Sequence, residues 1–256
     1  MATTLTTAKI DLLNKDAFSF NEIRKNLETC LEHEIENTQE ILFNISKQDD
    51  QQKEKPIQFL IKRIIDILGT CFGLVIISPL LIAVAIAIKI ESRGSVLFKQ
   101  KRIGKHGKEF YMYKFRSMYE DAEDRFEGLI KHNQTNDYMF KMFDDPRITK
   151  VGKFIRKYSI DELPQLINVI KGEMTLVGFR PPIQNEVDKY KDWHYLRFAG
   201  TPGLTGPWQV SGRSSIKNFD IIVELEYRYN KNWNILKDIE ILLKTIPVVI
   251  YGKDAA

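Results

Sequence analysis

The sequence has few residues of the types that build zinc sites or disulfide frameworks. Its two cysteines, Cys30 and Cys71, show neither a disulfide framework nor a metal-ligand spacing. The four histidines, at positions 33, 106, 132 and 194, are too scattered for a zinc site. We therefore expect a protein of a reducing, cytoplasmic setting that relies on neither zinc nor disulfides.

Several well-known nucleotide and hydrolase signatures are absent as well. The chain has no G-x-S-x-G elbow of the serine hydrolases, no P-loop and no G-x-G-x-x-G turn. It shows no recognised nucleic-acid-binding motif, so we predict no nucleic-acid partner. Residues 1–55 contain no apolar run of the kind that a signal peptide requires.

The net charge of +4 is unevenly distributed along the chain. Residues 1–55 carry seven Lys/Arg against eleven Asp/Glu, so the rest of the chain has a net charge of +8. A basic main body suits an anionic membrane face and substrates that carry phosphate. The acidic extension has helical spacing at Ile23, Leu27, Leu31 and Ile35, which predicts a helix there.

One apolar segment is long enough for a membrane. Residues 67–88 carry no charge and would span about 33 Å as a straight helix, close to the ~30 Å of bilayer hydrocarbon. A single span kinked at Ser78-Pro79 is one interpretation. Basic residues flank both ends, however, so a single span would place one cluster outside, against the positive-inside tendency. We favour a re-entrant hairpin that breaks at Ser78 and Pro79, with Lys62 and Arg63 at the cytoplasmic membrane surface.

Two adjacent carboxylates, Asp161 and Glu162, precede an apolar helical pattern. Ser159 and Glu162 match an S-x-x-E capping box, and Pro164 fits only the first turn of a helix. On this interpretation the acids merely complement the helix dipole. The same place also suits catalysis, because N–H groups at a helix start attract phosphate and favour an ionised, nucleophilic carboxylate. The two interpretations are compatible.

Basic residues recur around the acid pair. Lys114 and Arg116 follow a predicted strand, Arg156 lies five residues before Asp161, and Arg180 precedes two prolines in extended backbone. Each one alone is more simply explained as a solvated or ion-paired residue. Together with paired acids they indicate diphosphate recognition. Hard carboxylate oxygens beside phosphates indicate Mg²⁺ as the cofactor.

Residues 202–213 are so rich in glycine that we predict no regular structure for them. Gln209 and Arg213 offer polar groups there, and Trp208 offers an aromatic face. These residues are consistent with a sugar or base site, although a packed loop explains them equally well.

The remaining patterns predict a mixed fold. Alternating, aromatic-rich residues at 95–100 and 110–115 predict a small β-hairpin. The last two helical patterns suit an interfacial position, and ordinary core packing explains them about as well. Helices are predicted at about 117–131, 147–158, 162–171, 219–231 and 234–250.

Short motifs occur in the order and spacing of one known family. They are Lys62 to Asp66, Ser78-Pro79, Lys114 to Met118, Asp145 to Arg147, Ser159 to Leu166, Lys171 to Met174, Pro202 to Gly206 and Trp208 to Arg213. On these motifs, from about Pro56 to Lys253, the chain resembles the bacterial sugar transferases, the monotopic phosphoglycosyl transferases. One departure is Phe179, where family members usually carry the first proline of a Pro-Arg-Pro motif.

The resemblance implies transfer of a sugar-1-phosphate from a UDP-sugar to undecaprenyl phosphate, with release of UMP and initiation of lipid-linked glycan or exopolysaccharide synthesis. Asp161 would be the nucleophile, forming a covalent aspartyl-phosphosugar, and Glu162 would help to hold Mg²⁺. Arg156 matches a phosphate-binding arginine. Ser78-Pro79 matches the break in the family's re-entrant helix.

These inferences combine into one hypothesis, an α+β membrane enzyme. Residues 1–55 form a polar extension, residues 56–93 a re-entrant membrane helix and residues 94–256 a mainly helical cytoplasmic catalytic domain with a β-hairpin and interfacial amphipathic helices. We expect it on the inner leaflet of the bacterial cytoplasmic membrane, with both termini cytoplasmic. Homodimerisation through residues 1–55 or the C-terminal helices is left open. The substrate-binding residues would be Lys114, Arg116, Arg156, Arg180, Gln209 and Arg213.

Two other function classes fit parts of the pattern. A membrane-anchored scaffold with a decayed site would bind partners of a polysaccharide assembly complex and release no UMP. A lipid pyrophosphatase would release inorganic phosphate instead. The intact acid pair and its cations favour the transferase.

Overall fold

The structure is a computed structural model that describes residues 55–122, 124–125, 128, 142, 145–212, 215–216 and 218–251. The helix and dimer surface predicted within residues 1–55, and Arg213, lie outside the described residues. The helix predicted at 117–131 was wrong at its start, because Met118 forms a β-bridge with Ile148 and turns follow at 120–122 and 124–125. The α-helices are α1 Pro56–Glu91, α2 Lys150–Lys157, α3 Leu166–Lys171, α4 Gln184–Val187, α5 Pro207–Val210, α6 Phe219–Lys231 and α7 Ile235–Tyr251. The strands are β1 Leu97–Ile103, β2 Glu109–Phe115, β3 Thr175–Val177 and β4 Gly203–Thr205. Short 3₁₀ helices span Lys105–Gly107, Ile160–Gln165 and Asp192–Ala199.

Helix α1 continues through Pro79 without ending. A proline there removes the N–H that would bond the carbonyl of Val75 four residues earlier. The hydroxyl of Ser78 takes its place, donating to Val75 O at 2.8 Å. The Ser-Pro pair thus keeps the backbone satisfied inside an apolar helix. The predicted hairpin at Ser78-Pro79 is not confirmed by this continuous helix and stays a prediction.

Both ends of α1 contact the rest of the protein. Near its start, Asp66 accepts hydrogen bonds from the Thr175 hydroxyl and from Leu176 N, the latter at 3.1 Å. At its end, the Glu91 carboxylate accepts from Lys150 N at 2.7 Å and Val151 N at 3.0 Å, so it caps the first turn of α2. The helix is therefore anchored at two places.

The middle of α1 is a candidate membrane segment. Among the described residues, α1 is the one helix long and apolar enough to cross a bilayer, and little of its most apolar stretch is buried. Phe72, Val75 and Ile76 are 70%, 73% and 59% exposed. A soluble protein would bury side chains of this kind, so the exposure fits membrane association.

The predicted β-hairpin is confirmed. β1 and β2 pair antiparallel from Leu97 opposite Phe115 to Ile103 opposite Glu109, and the short 3₁₀ helix at Lys105–Gly107 joins them. Phe110 and Met112 on β2 point inward and pack with Val169 and Met174. This packing lays β2 against the segment that carries the acid pair.

The helices predicted at 147–158 and 162–171 are confirmed with shorter bounds. Thr149 begins α2, since its hydroxyl accepts from Gly152 N at 2.8 Å. The 3₁₀ helix Ile160–Gln165 then leads directly into α3, so Pro164 lies in the first turns, as expected.

The prediction of no regular structure at 202–213 was wrong. β4 pairs in parallel with β3, and α5 follows at once. A side chain is impossible at Gly178, directly after β3, because a Cβ there would lie 2.1 Å from Thr201 O. Glycine at this position therefore allows the backbone at Gly178 to lie close to the backbone at Thr201.

The two C-terminal helices form as predicted and complete the core. α6 buries Phe219, Ile222 and Val223 in a cluster with Phe179 and Trp208. α7 instead leaves an apolar stripe exposed, at Leu236, Ile239, Leu243, Ile246 and Ile250. The described fold is a mixed helix and strand structure, as the α+β prediction stated.

Candidate functional site

The acid pair lies in the 3₁₀ helix between α2 and α3. Asp161 is 6% exposed, and Glu162 is half-buried beside it. Ser159 precedes them in the left-handed region, with φ 55° and ψ 23°. Such a conformation costs roughly 1 kcal/mol or more in a non-glycine residue, and it is typical of functional sites.

The capping box predicted for Ser159 was wrong. Its side chain makes no capping hydrogen bond, because its backbone turns left-handed instead of extended. The backbone N–H of Ser159 donates to Arg156 O at 3.0 Å, and Ser159 O accepts from Glu162 N at 3.2 Å. The turn therefore redirects the chain from α2 so that both acids face β2.

Glu162 is held by two of the predicted substrate-binding cations. The Lys114 Nζ atom donates to Glu162 Oε1 at 2.8 Å, and Arg180 Nη1 lies 3.6 Å from the same oxygen. Lys114 comes from the end of β2 and Arg180 from the segment after β3. Burial lowers the pKa of Lys114, although the charges of Glu162 and Asp161 oppose this shift.

Burial raises the pKa of Asp161 to about 6. The positive charges of Lys114 and Arg156 act in the opposite direction, and the neighbouring Glu162 adds to the rise. The carboxylate is therefore mostly ionised at pH 7 to 8 but is poorly solvated. Such a carboxylate is suited to nucleophilic attack.

Arg156, on α2, is the third cation near the acids. Burial lowers the pKa of its guanidinium, and the charges of Asp161 and Asp145 oppose that effect. Asp145 is itself paired with Arg147 at 2.6 Å in a buried ion pair. This pair braces the loop that leads into α2, which carries Arg156.

A small cleft opens beside Glu162 and Arg180. Its walls include Met112, Leu204 and Gln209, and its open volume is about 230 Å³. That figure includes space open to solvent, so the cleft is a small surface opening and not an enclosed pocket. The Oε1 atom of Gln209 is buried and lacks a hydrogen-bond partner among the described residues, which leaves it able to accept from a ligand.

The acid pair could hold a metal ion only together with a substrate. No cluster of three or more His, Cys, Asp or Glu side chains suited to a metal is present in the described part of the chain. Mg²⁺ is typically bound through one or two carboxylates plus substrate phosphates. Asp161 and Glu162 fit that donor set, and they do not fit a metal cage made of protein alone.

The family comparison agrees with this geometry. A family model for bacterial sugar transferases matches residues 57–252. The chain belongs to the bacterial sugar transferase family.

Three curated relatives of this sugar transferase have informative names. It is 49% identical to the galactosyl transferase CpsE of Streptococcus agalactiae serotype III over 76% of this chain and 43% of the relative. It is 38% identical to the exopolysaccharide production protein ExoY of Sinorhizobium fredii, over 78% of this chain and 89% of that protein. It is 42% identical to the undecaprenyl-phosphate galactose phosphotransferase of Salmonella typhimurium, over 74% and 40%. The chain thus spans less than half of two relatives and most of the third.

Three other predicted site residues of this sugar transferase join α1 to the rest of the protein. Arg116 donates to the Arg93 carbonyl and to Ser92 O, the latter at 2.8 Å, and so holds the end of α1. Lys62 contacts Asp238 at 2.5 Å, and Arg63 donates to Val169 O at 2.7 Å. Lys62 and Arg63 therefore dock α1 on the body. Substrate contact by Arg116, and membrane contact by Lys62 and Arg63, stay predictions.

The face of Trp208 is less available than predicted. Trp208 is 9% exposed and packs in the core cluster, and the Arg180 guanidinium lies 5.7 Å from its ring centroid. This arrangement is closer to the packed-loop alternative. The ring supports Arg180 at the site.

One buried cation at the site was missed. Arg102 on β1 donates to Pro181 O at 2.8 Å, next to Arg180. Burial and the charge of Arg180 lower the pKa of Arg102 to about 10, so it stays protonated. Its partner in the β-hairpin register is the buried Phe110. The first strand was predicted to end at residue 100, so the sequence pattern gave no signal for the inward position of Arg102.

Proposed function

We propose that this sugar transferase moves a sugar-1-phosphate from a UDP-sugar to undecaprenyl phosphate. The main observation behind this proposal is the buried Asp161-Glu162 pair with Lys114, Arg156 and Arg180 around it, in a chain of this family. The name of the Salmonella relative supports undecaprenyl phosphate as the acceptor and a sugar phosphate as the transferred group. The name of the Sinorhizobium relative supports a place in exopolysaccharide production.

The charges of the site favour a diphosphate. Three cations face two carboxylates, so the site keeps a net positive charge when both acids are ionised. Arginine and lysine recognise phosphate oxygens through charge-assisted hydrogen bonds. Lys114 and Arg180 already converge on one oxygen of Glu162, which places their donors side by side.

In the first half-reaction an Asp161 oxygen attacks the β-phosphorus of the UDP-sugar. The bond between that phosphorus and the bridging oxygen breaks, and UMP leaves with the electron pair. The phosphosugar is now joined to Asp161 through an acyl phosphate, a mixed anhydride. Positive charges at Arg156 and Lys114 offset the repulsion between a carboxylate and a diphosphate.

In the second half-reaction a phosphate oxygen of undecaprenyl phosphate attacks the same phosphorus. The bond to Asp161 breaks, and its carboxylate is restored. A covalent intermediate lets a soluble donor and a lipid acceptor use one site in turn. Asp161 needs no general base in either step, because attacking and leaving groups are already anionic.

We propose Mg²⁺ as the cofactor, held by Glu162 together with substrate phosphates. Bound there, it would neutralise phosphate charge. Glu162 contacts Lys114 at 2.8 Å, so its carboxylate is already oriented by the protein. Because Asp161 is proposed as the nucleophile, we assign Glu162 as the carboxylate that would bind the metal.

We also propose the monotopic, re-entrant arrangement of α1 on the inner leaflet. Anchors near Asp66 and at Glu91 attach both ends of α1 to the same body, while Phe72 and Val75 between them are exposed. A helix that crossed a bilayer would carry its two ends to opposite sides. Both anchors on one body therefore favour an α1 that bends at Pro79 within the bilayer and returns, with both termini cytoplasmic.

The exposed stripe of α7 supports an interfacial position for that helix. Leu236, Leu243 and Ile250 repeat at seven-residue intervals, with Ile239 and Ile246 between them. A stripe of this kind suits the boundary between headgroups and acyl chains. The catalytic body would then lie against the membrane, where a lipid phosphate can reach Asp161.

A screen for UMP release tests the activity. The purified chain is incubated with Mg²⁺, undecaprenyl phosphate and a panel of UDP-sugars. We expect UMP with at least one donor, and a lipid-linked phosphosugar as the second product. Release of inorganic phosphate would favour a lipid pyrophosphatase, and no product with any donor would favour a scaffold.

A further inference from the structure

We propose that Arg197 and Glu226 are positioning residues that hold Arg180 against the acid pair. This inference rests on the proposed function, in which Arg180 contacts phosphate. Neither residue lies in the cleft, and neither belongs to the motifs that indicated the site. They act on the backbone of Arg180.

The two side chains clamp both polar groups of the Arg180 backbone. Glu226 Oε1 accepts from Arg180 N at 3.2 Å, and Arg197 Nη2 donates to Arg180 O at 3.0 Å. Arg197 and Glu226 also bond each other, with Nη2 3.0 Å from Oε1. The three residues therefore form a closed ring of hydrogen bonds.

The clamp is rigid because it is buried. Arg197 and Glu226 are 3% and 1% exposed. The rings of Phe179 and Phe219 lie 5.4 Å from the Arg197 guanidinium, and its Nη1 donates to the Tyr190 hydroxyl. A buried ion pair adds little stability over an apolar pair of similar volume. A positioning role explains why an ion pair, and not an apolar pair, occupies this buried site.

Local sequence restricts Arg180 only in part. Pro181 biases the preceding residue toward extended backbone but leaves a broad range of φ and ψ. Further along, Arg102 donates to Pro181 O at 2.8 Å and Ile103 N donates to Pro182 O at 2.9 Å. The remaining freedom is at Arg180, where the clamp acts.

The side chain of Arg180 depends on that orientation. Its Nη1 lies 3.6 Å from Glu162 Oε1, and its guanidinium is stacked near Trp208. The Arg180 side chain is 34% exposed, and contact with solvent does not hold it in one orientation. A displacement of about 1 Å at a catalytic cation can lower a rate by about 100-fold.

The test replaces the clamp with an apolar pair, Arg197→Met with Glu226→Leu. We expect only a modest fall in the thermal midpoint, since no buried charge is left unpaired although the hydrogen bonds to the Arg180 backbone are lost. UMP release should fall about tenfold to a hundredfold in kcat/KM. In an Arg180→Met background the same two substitutions should lower kcat/KM by less than about twofold, because the clamp acts through Arg180.

Two further variants separate positioning from folding. Glu226→Gln keeps an oxygen for Arg180 N and should retain most of the activity. The matched control is Glu224→Leu with Arg228→Met, an exposed ion pair on the same helix, which should change nothing. A loss that is additive with Arg180→Met, or equal to the loss of folded protein, would overturn the proposal.

Binding of UDP by the same proteins distinguishes this inference from the proposed function. If the wild type releases no UMP but binds UDP, the transferase proposal fails, and non-additive losses of UDP affinity still support the clamp. Additive losses of affinity overturn it. A wild type that neither releases UMP nor binds UDP overturns both.

Discussion

Lys114 Nζ donates to Glu162 Oε1 at 2.8 Å, which joins the end of β2 to the second residue of the acid pair. The contact lies where the hairpin packs on the 3₁₀ helix, and both side chains are largely buried. Lys114 is also the largest electrostatic influence that lowers the pKa of Asp161. One lysine thus orients Glu162 and keeps Asp161 ionised.

We expect Lys114→Met to move the acid limb of the pH–rate profile upward. Removal of the positive charge raises the pKa of Asp161 beyond about 6, so less of the carboxylate is ionised at neutral pH. UMP release measured from pH 5.5 to 8.5 checks this, with Lys108→Met on the exposed hairpin as control. An unchanged acid limb would contradict the assigned role of Lys114.

We expect Asp161→Asn to abolish UMP release and the covalent phosphosugar on residue 161. Mass spectrometry of wild type stopped during turnover should show that adduct on Asp161. Turnover by the wild type with no adduct at this position, or turnover by the Asn variant, would refute the nucleophile.

The same substitution should stabilise the protein above about pH 6. The pKa of Asp161 is raised in the folded state from an ordinary 3.8 to about 6, so ionisation of the carboxylate costs the wild type stability as pH rises through that window. Asn carries no charge and avoids this cost. The gap in thermal midpoint between variant and wild type should grow from pH 4 to pH 7. A constant gap would argue against a raised pKa.

We expect Ser78→Ala to destabilise α1 in lipid. Its hydroxyl bonds Val75 O at 2.8 Å, where Pro79 supplies no N–H. Loss of that bond should cost about 0.6–1.7 kcal/mol. Thermal unfolding in lipid nanodiscs measures the loss, and Ser78→Thr, which keeps the hydroxyl, is the control. Equal stability of the Ala and Thr variants would contradict this account.

We expect both ends of α1 to be labelled from one side of the membrane. Ile57→Cys and Arg93→Cys, in a background without Cys30 and Cys71, place a thiol before and after the apolar segment. An impermeant thiol reagent should modify both in inverted vesicles and neither in intact spheroplasts. Modification of one position from each side would show a single span.

Much of the local structure follows from the sequence. Period-two alternation predicted β1 and β2, and helical periodicity predicted α6 and α7 almost to their ends. The acid pair and the basic residues Lys114 and Arg180 were identified before their contacts were known. Local chemistry sufficed, because these elements follow from neighbouring residues.

Other features depend on partners distant in the chain. β4 forms in a glycine-rich stretch because β3, 28 residues earlier in register, supplies its hydrogen bonds. Ser159 turns left-handed because α2 and β2 must both meet the acid pair, and no local pattern signals this. Lys62 and Arg63 were assigned to the membrane because their charges suggested it, whereas their nearest partners are Asp238 and backbone carbonyls.

The sequence by itself determined which functional groups this protein has: an acid pair, basic residues near it, and an apolar segment with a Ser-Pro pair. Tertiary structure decided how they are used. It buried Asp161, which raises its pKa, and it brought Lys114 and Arg180 to one oxygen of Glu162. Desolvation and charge proximity depend on distances in the folded structure. Lys114 and Arg180 lie 48 and 18 positions from Glu162 in the chain, so no local sequence pattern could encode those distances.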